Sequence, residues 1–341
     1  MERRRTEPTA SFDTTGLTRV AGFVDLQVNG GFGHDFTHDP STIWAVAEEL
    51  PKTGVTAFLP TIITSPPEVR DEALAVLTSG PPCGFTGATP IGLHLEGPMI
   101  TIPGAHPPAF VETTASPGGL SREDGVAMVT LAPELPGAIN TIVELVARGI
   151  LVSLGHSRAS YSEARAAADA GATLGTHLFN AMGGVTARHP GLAGFLLTDP
   201  RMRFGLIADD VHVHPASVRL AHEAAGERLV LITDATAATG RGSGAFDLGD
   251  RTVVARGGVI RNEEGALAGS VLTMDVAVRN LMAATGCSLE RAAAAASTIP
   301  TSALGLSERD DAVFLDDGGN VVATVVDGRL AFLAETHRLR S

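Results

Sequence analysis

The chain reads as an α/β protein: a (β/α)8 barrel of the TIM type with a reduced small β-domain formed by the chain termini. Three observations lead there. Short apolar, β-rich runs recur eight times, stretches of helical composition separate most of them, and ionisable side chains close several of the runs. Strand-then-helix repetition argues for a parallel sheet covered by helices, and eight units suit a closed barrel. A doubly wound open sheet is the alternative. No GxGxxG follows the first run and no Walker-type loop occurs, which weighs against it.

In chain order the runs are "GFVDLQVNG", "TAFLPTII", "PIGLHLEGP", "GVAMVTLAPE", "ILVSLGHS", "ATLGTHLFNAM", "RFGLIADDVHVHP" and "RLVLITDATAATG". The clearest helical stretches between them are "STIWAVAEELPKTG", "PGAINTIVELVARG", "SYSEARAAADAG" and "PASVRLAHEAAG". A closing glycine is a common helix C-terminal signal. The barrel is expected over 20–306. Residues 1–19 and 307–341 are expected to form the remnant of the small domain, with "DDGGN" as a hairpin turn between β-rich runs.

Composition narrows the function. Of 341 residues 44% are hydrophobic, ample for a core. The two cysteines, Cys83 and Cys287, lie far apart and outside any CxxC, as expected of a cytoplasmic protein without a disulfide framework. The basic start "MERRRTEPTASFDTT" leads into no long apolar run, so no signal peptide is expected, and no run is long enough to span a membrane. A net charge of −13 favours solubility and disfavours nucleic acid as a partner. An anionic substrate would need locally placed positive charge.

Glu96, His156, His177, His212 and Asp234 each stand at or just beyond the end of an apolar run. In a parallel barrel those ends converge on the face that carries active sites. A single strand-end histidine is more often a hydrogen-bonding residue, but the joint pattern points to a site. Glu96, His156 and His177 are the donor set of a catalytic metal with one position left for water. Asp234 suits a carboxylate that takes a proton from that water and passes it to a leaving group. The implied chemistry is metal-assisted hydrolysis of an amide or ester.

The motifs "GLHLEGP", "SLGHSRASYSEA", "GATLGTHLFNAM", "GLIADDVHVHP", "LITDATAATG" and "LAGSVLTMDVAVRNL", in this order, resemble the N-acetylglucosamine-6-phosphate deacetylase family of the amidohydrolase superfamily. The resemblance implies removal of the N-acetyl group from a 6-phosphorylated amino sugar, giving acetate and the amine. It implies Glu96, His156 and His177 as metal ligands, Asp234 as acid/base, and His106 of "PGAHPPAF" as polariser of the scissile carbonyl. It further implies that Asn180, Ala181 and His212 contact sugar and phosphate, and that Arg188 of "TARHPG" reaches the phosphate in the neighbouring subunit of a homodimer. An arginine fork suits phosphate well.

The first run bears on the metal count. Many superfamily members carry His-x-His there, whereas this chain has Gln27 and Asn29. Neutral amides are poor zinc ligands, so one divalent ion is expected, zinc first, with iron, cobalt or manganese as alternatives. "HVH" at 212–214 is not expected to bind it, because His214 precedes Pro215 at a helix start. Two departures from the family stand out: the short, polar segment before the first strand, with little strand pattern, and Asp210 where glycine is common. Two other readings remain: a deacetylase of a related substrate such as N-acetylgalactosamine 6-phosphate, and a catalytically silent, truncated paralogue.

Overall fold

The computed structural model describes residues 12–307 and 309–335, so residues 1–11, 308 and 336–341 of the expected terminal segments lie outside it. Eight parallel strands form the central sheet: β1 Phe23–Val28, β2 Val55–Ile63, β3 Leu93–Glu96, β4 Val126–Leu131, β5 Leu151–Leu154, β6 Leu174–Gly175, β7 Arg203–Leu206 and β8 Leu229–Leu231. They pair in sequence order, each of the eight apolar runs supplying one strand. Every residue of β1, β2 and β4 is buried. Burial on both faces is why these runs are nearly continuous in apolar character rather than alternating.

The ring closes between β1 and the segment after β8. Asp234 N–H donates to the Gln27 carbonyl (3.0 Å), and Asn29 N–H donates to that of Ala235 (2.8 Å). Deeper in the seam, Asp25 accepts from the Thr233 hydroxyl at 2.6 Å and from the Thr233 and Gln27 N–H groups, each at 3.2 Å. One buried carboxylate thus stitches the first strand to the end of the last.

Helices cover the outside: α1 Ile43–Glu49, α2 Pro67–Ser79, α3 Ala138–Ala147, α4 Tyr161–Asp169, α5 Gly191–Thr198, α6 Pro215–Ala225 and α7 Met274–Thr285. Local signals set their ends. Ser160 and Glu163 make a reciprocal capping box on α4. The His214 side chain caps α6 by accepting from Ala216 N–H at 3.1 Å, ahead of Pro215. Pro51 converts the end of the first helical stretch into a 3-10 turn. The expected regular alternation fails once: β3 is followed by no α-helix but by residues 97–125, whose only helical element is the 3-10 turn Pro108–Phe110. Prolines and glycines crowd that segment and remove the donors and backbone restraint a helix needs.

Beside a two-stranded ribbon of Gly30–Gly31 with His34–Asp35, two smaller sheets accompany the barrel. Thr18–Ala21 pairs antiparallel with Ala312–Leu315, which continues into Val321–Val326 and Arg329–Leu333. "DDGGN" does form the hairpin turn, and the segment before β1, expected to have little strand character, contributes a strand. The second is a meander between β8 and α7, Gly244–Leu248, Arg251–Arg256 and Val259–Arg261, over its own small core of Leu248, Val253, Ala255 and Ile260. Both cysteines are free thiols, and no helix among the described residues is long and apolar enough to cross a membrane.

Burial pushes the Asp25 carboxyl up to about 7, against the Thr233 and Gln27 bonds that lower it. The folded chain therefore holds this proton more tightly than the unfolded one, whose carboxyl titrates near its ordinary value. The stabilising contribution is present at low pH and is lost as pH rises through about 7. Asp25→Ala, which strands three donors, should cost about 1–3 kcal/mol in urea unfolding. The penalty of Asp25→Asn, which is always neutral, should be smaller at about pH 8 than at about pH 5. Equal Asn penalties at both pH values would contradict this account of the seam.

Candidate metal centre and active site

Glu96 is the last residue of β3, and His156, His177 and Asp234 lie two, two and three residues beyond β5, β6 and β8. The three that follow strands turn inward on left-handed backbone, with φ of +50°, +31° and +52°. Such angles are uncommon outside glycine and concentrate at functional sites. The segment "LAGSVLT" explains how Asp234 holds its angle. Ser270 N–H donates to the Asp234 carbonyl (2.8 Å), and Thr236 N–H returns to that of Ser270 (3.1 Å). A side chain at Gly269, itself at φ +65°, would lie 2.5 Å from the Thr236 methyl, so glycine is required there.

Three donor atoms converge. His177 Nε2 lies 2.9 Å from Glu96 Oε1, His156 Nε2 lies 3.2 Å from the same oxygen, and the two nitrogens are 3.1 Å apart. The edges of a tetrahedron with bonds of about 2.0 Å measure about 3.3 Å, so the set fits a divalent ion closely. It is the only such cluster of three among the described residues. The tautomer of His156 also fits: Nδ1–H donates to the Ile102 carbonyl at 2.7 Å, leaving Nε2 as a lone-pair donor. Burial alone would raise the Glu96 pKa, but the imidazoles of His156, His106 and His177 hold it well below the carboxylate range. Burial likewise disfavours charge on His177, yet the Glu96 carboxylate prevails and raises its pKa.

Asp234 faces this cluster. Its Oδ1 accepts from Asn29 Nδ2 at 2.7 Å and Gln27 Nε2 at 3.0 Å, and the same Gln27 nitrogen donates to Glu96 Oε1 at 3.0 Å. Gln27 near the end of β1 and Asn29 one residue beyond it both reach Asp234, the Asn29 backbone being held by the Ala235 carbonyl. Their orientation follows from charge, since a flipped amide would aim oxygen at two carboxylates. Sequence reasoning, which weighs these amides only as poor ligands, misses their bridging role. Burial, then the neighbouring Glu96 charge, pushes Asp234 up to about 6.

His106 arrives from the irregular loop. Its Nδ1 accepts from Thr64 N–H (3.3 Å) and lies 2.8 Å from the Thr64 hydroxyl, so the proton is on Nε2, 3.5 Å from Glu96 Oε2. Burial, then His156, lowers its pKa to about 4, so the ring is a neutral donor. His212 is held by Asp209, whose Oδ2 lies 2.7 Å from Nδ1 and whose Oδ1 accepts the Val211 and His212 N–H groups. Sequence reasoning misses Asp209 too, although Asp-x-x-His is the spacing of a side-chain-closed turn. Asp210, the departure from the family pattern, is exposed at φ +62°, where glycine is free and aspartate is tolerated.

Asn180, Ala181 and His212 line one cavity with Glu96, His106 and Asp234. Leu248, from the meander, and Leu267, the first residue of "LAGSVLTMDVAVRNL", also line it; Leu248 is not anticipated by any motif. Arg188 is the one expected site residue that lies elsewhere: it is exposed on the loop after β6 and not on the cavity wall.

A parallel barrel with an imidazole–carboxylate cluster and a facing aspartate at its C-terminal mouth defines a metal-dependent hydrolase class. Residues 18–331 match the amidohydrolase family, and the chain belongs to it. It is 42% identical over 357 residues to the N-acetylglucosamine-6-phosphate deacetylase of Rattus norvegicus, covering 95% of this chain and 85% of the relative. It is 37% identical to an N-acetylgalactosamine-6-phosphate deacetylase of a Shewanella species, covering 95% and 86%. A solved structure of a mutant N-acetyl-D-glucosamine-6-phosphate deacetylase from Mycobacterium smegmatis, in complex with N-acetyl-D-glucosamine-6-phosphate, superposes with a TM-score of 0.85 at 36% identity, covering 93% and 87%.

If the cluster holds a divalent ion, ligand linkage should raise unfolding free energy by about 2.7 kcal/mol at free metal a hundredfold above the dissociation constant. Glu96→Gln and His156→Ala should each lose most of that metal-induced gain in thermal melts. Melts of both variants that respond to metal as the wild type does would remove these residues from the centre.

Proposed function

We propose that the protein hydrolyses the N-acetyl group of N-acetylglucosamine 6-phosphate, giving glucosamine 6-phosphate and acetate. The observation that carries this reading is the Asp234 carboxylate, tied through the single Gln27 nitrogen to Oε1 of Glu96 in the cluster, with a neutral His106 donor 3.5 Å from Oε2 of the same carboxylate. One divalent ion, zinc by the chemistry of its donors, would be held by Glu96, His156 and His177 and would supply Lewis-acid activation of water and of the carbonyl.

The protein groups do the rest. His106 Nε2–H is the donor for the carbonyl oxygen as negative charge develops there, and Thr64 keeps the proton on that nitrogen. Asp234 takes the proton of the attacking water and delivers it to the departing nitrogen, since an amine leaves poorly unless protonated. The Asn29 and Gln27 amides hold its Oδ1 in place while this happens. Asn180 and the Ala181 backbone would bind the sugar, and His212 with Arg188 the phosphate. Arg188 is exposed on its own chain, as a residue that completes a neighbour's site would be, so the active form would be a homodimer. A local guanidinium such as Arg188 is what a chain of net charge −13 would need to receive an anion.

The galactosamine epimer is a second reading, supported by the similarity to the Shewanella enzyme; acetate release from both phosphorylated epimers separates the two. The intact donor set argues against a silent paralogue. Residues 20–306 would be the catalytic barrel and the terminal segments a small β-domain, in a protein of the cytoplasm.

Asp234→Asn keeps shape and hydrogen bonding but cannot carry a proton. It should fold, retain metal and lose at least about a hundredfold in kcat. Near-normal turnover by metal-loaded Asp234→Asn would exclude the assigned role. Arg188→Ala should lower kcat/KM on phosphorylated substrate by about ten- to a hundredfold, as expected for a lost charged contact, and leave the unphosphorylated sugar nearly unaffected. Equal losses on both sugars would sink the phosphate assignment.

A further inference from the structure

One group of buried polar side chains takes no part in the chemistry described above. His94, on β3 two residues before Glu96, is fully buried. Thr61 on β2, Thr130 on β4 and Ser153 on β5 are also fully buried, and Thr176, just beyond β6, is 2% exposed. They form an unbroken hydrogen-bonded chain across the interior. Ser153 Oγ lies 2.6 Å from Thr176 Oγ1, which lies 2.7 Å from Thr130 Oγ1, which lies 2.8 Å from His94 Nε2. His94 Nδ1 in turn lies 3.2 Å from Thr61 Oγ1.

The protons of this chain can be placed. The single Thr61 O–H donates to the Leu59 carbonyl (3.2 Å), and its oxygen accepts from Val28 N–H on β1 (3.1 Å). His94 Nδ1 therefore donates to Thr61, and Nε2 accepts from Thr130. Each further hydroxyl passes its one proton in the same direction, from Ser153 to Thr176 to Thr130. None of these side-chain atoms is left without a partner.

A barrel interior is ordinarily filled by branched apolar side chains, which pack without any directional demand. A polar layer costs desolvation and is tolerated only when fully satisfied. What it adds is fixed spacing between strands. The chain runs through all three strands that lead to the cluster, β3, β5 and β6, and reaches them across β2 and β4. Thr130 is the register partner of both Glu96 and Ser153, Thr176 immediately precedes His177, and His94 shares the inward face with Glu96. Metal–ligand distances must hold within about 0.2 Å.

We propose that Thr61, His94, Thr130, Thr176 and Ser153 form a positioning layer that sets the mutual spacing of Glu96, His156 and His177 before metal binds. They are positioning residues, since none lines the cavity. The inference rests on the reading of those three residues as the metal centre. Supporting partners behind metal ligands are worth about ten- to a hundredfold in affinity elsewhere.

The test measures metal affinity by competition with a chelator on the full chain, alongside thermal melts without metal. Thr130→Val keeps the volume and breaks the chain at its centre; Thr130→Ser loses a methyl and keeps the link. Thr130→Val should bind metal about ten- to a hundredfold more weakly, and Thr130→Ser like the wild type. Should Thr130→Val fail to fold, Ser153→Ala, which removes only the terminal donor, should still weaken affinity measurably with its melt near that of the wild type. Wild-type affinity in Thr130→Val, or in the Ser153→Ala fallback, would overturn the inference and leave the metal centre standing. Equal weakening in Thr130→Val and Thr130→Ser would overturn it too, by assigning the effect to packing. A wild-type chain with no metal affinity would remove the centre and the layer's purpose together.

Discussion

Two carboxylates buried side by side form the constraint on which this active site is arranged. Glu96 and Asp234 are each nearly excluded from water, and like charges so placed cannot both stay ionised without compensation. The chain compensates them unequally. Glu96 is surrounded by three imidazoles, which keep it charged, whereas Asp234 receives only amide donors on Oδ1 and rises toward neutrality. Gln27, with one nitrogen on both, is the joint between the two environments. The division suits the proposed division of labour: a carboxylate kept charged among imidazoles on one side, and on the other a carboxyl able to gain and lose a proton.

That arrangement depends on the seam of the barrel. Gln27 sits near the end of β1 and Asn29 one residue beyond it, and Asp234 is hydrogen-bonded to β1 through its own backbone. Closing the ring therefore brings Asp234 to its donors. Asp25 below and the Ser270 segment above hold the same junction from two sides.

Much of this is legible in the residues. The strands announce themselves because both of their faces are buried, and the clustered Glu96, His156 and His177 because an ionisable group ending an apolar run has little reason to be there unless it serves a site. Other features depend on partners remote in sequence. Thr64 fixes the His106 tautomer across 42 positions, and nothing in either local motif records it. Asp209 is readable from its spacing to His212, but the adjacent Asp210 draws attention as the family departure. The meander over 244–261 alternates buried and exposed residues along its middle strand between glycine turns, a pattern visible in "AFDLGDRTVVARGGVIR" and easily passed over between two stronger motifs. The irregular segment after β3 defeats a repeat-based reading because one unit of the repeat lacks its helix.

That irregular segment divides the site by stability. Glu96 is fixed in a ladder shared with strands on both sides, whereas His106 lies within residues 97–125, which form no ladder and are held by separate bonds: Gly97 N–H to the Thr130 carbonyl, Ala132 N–H to that of Met99, Thr101 and Ile102 N–H to that of His156, and Ala115 and Arg122 N–H to those of Pro136 and Arg148, with Thr64 on the His106 ring. Segments with few backbone bonds open at far lower free energy than the sheet. His106 thus depends on the less bonded segment, Glu96 and His177 on the barrel, and His156 on both, through its own backbone and through the Ile102 carbonyl. On warming, residues 97–125 would loosen before the barrel, displacing His106 and withdrawing the Ile102 partner of His156 while Glu96 and His177 still stood in place, and activity would fall ahead of the fold.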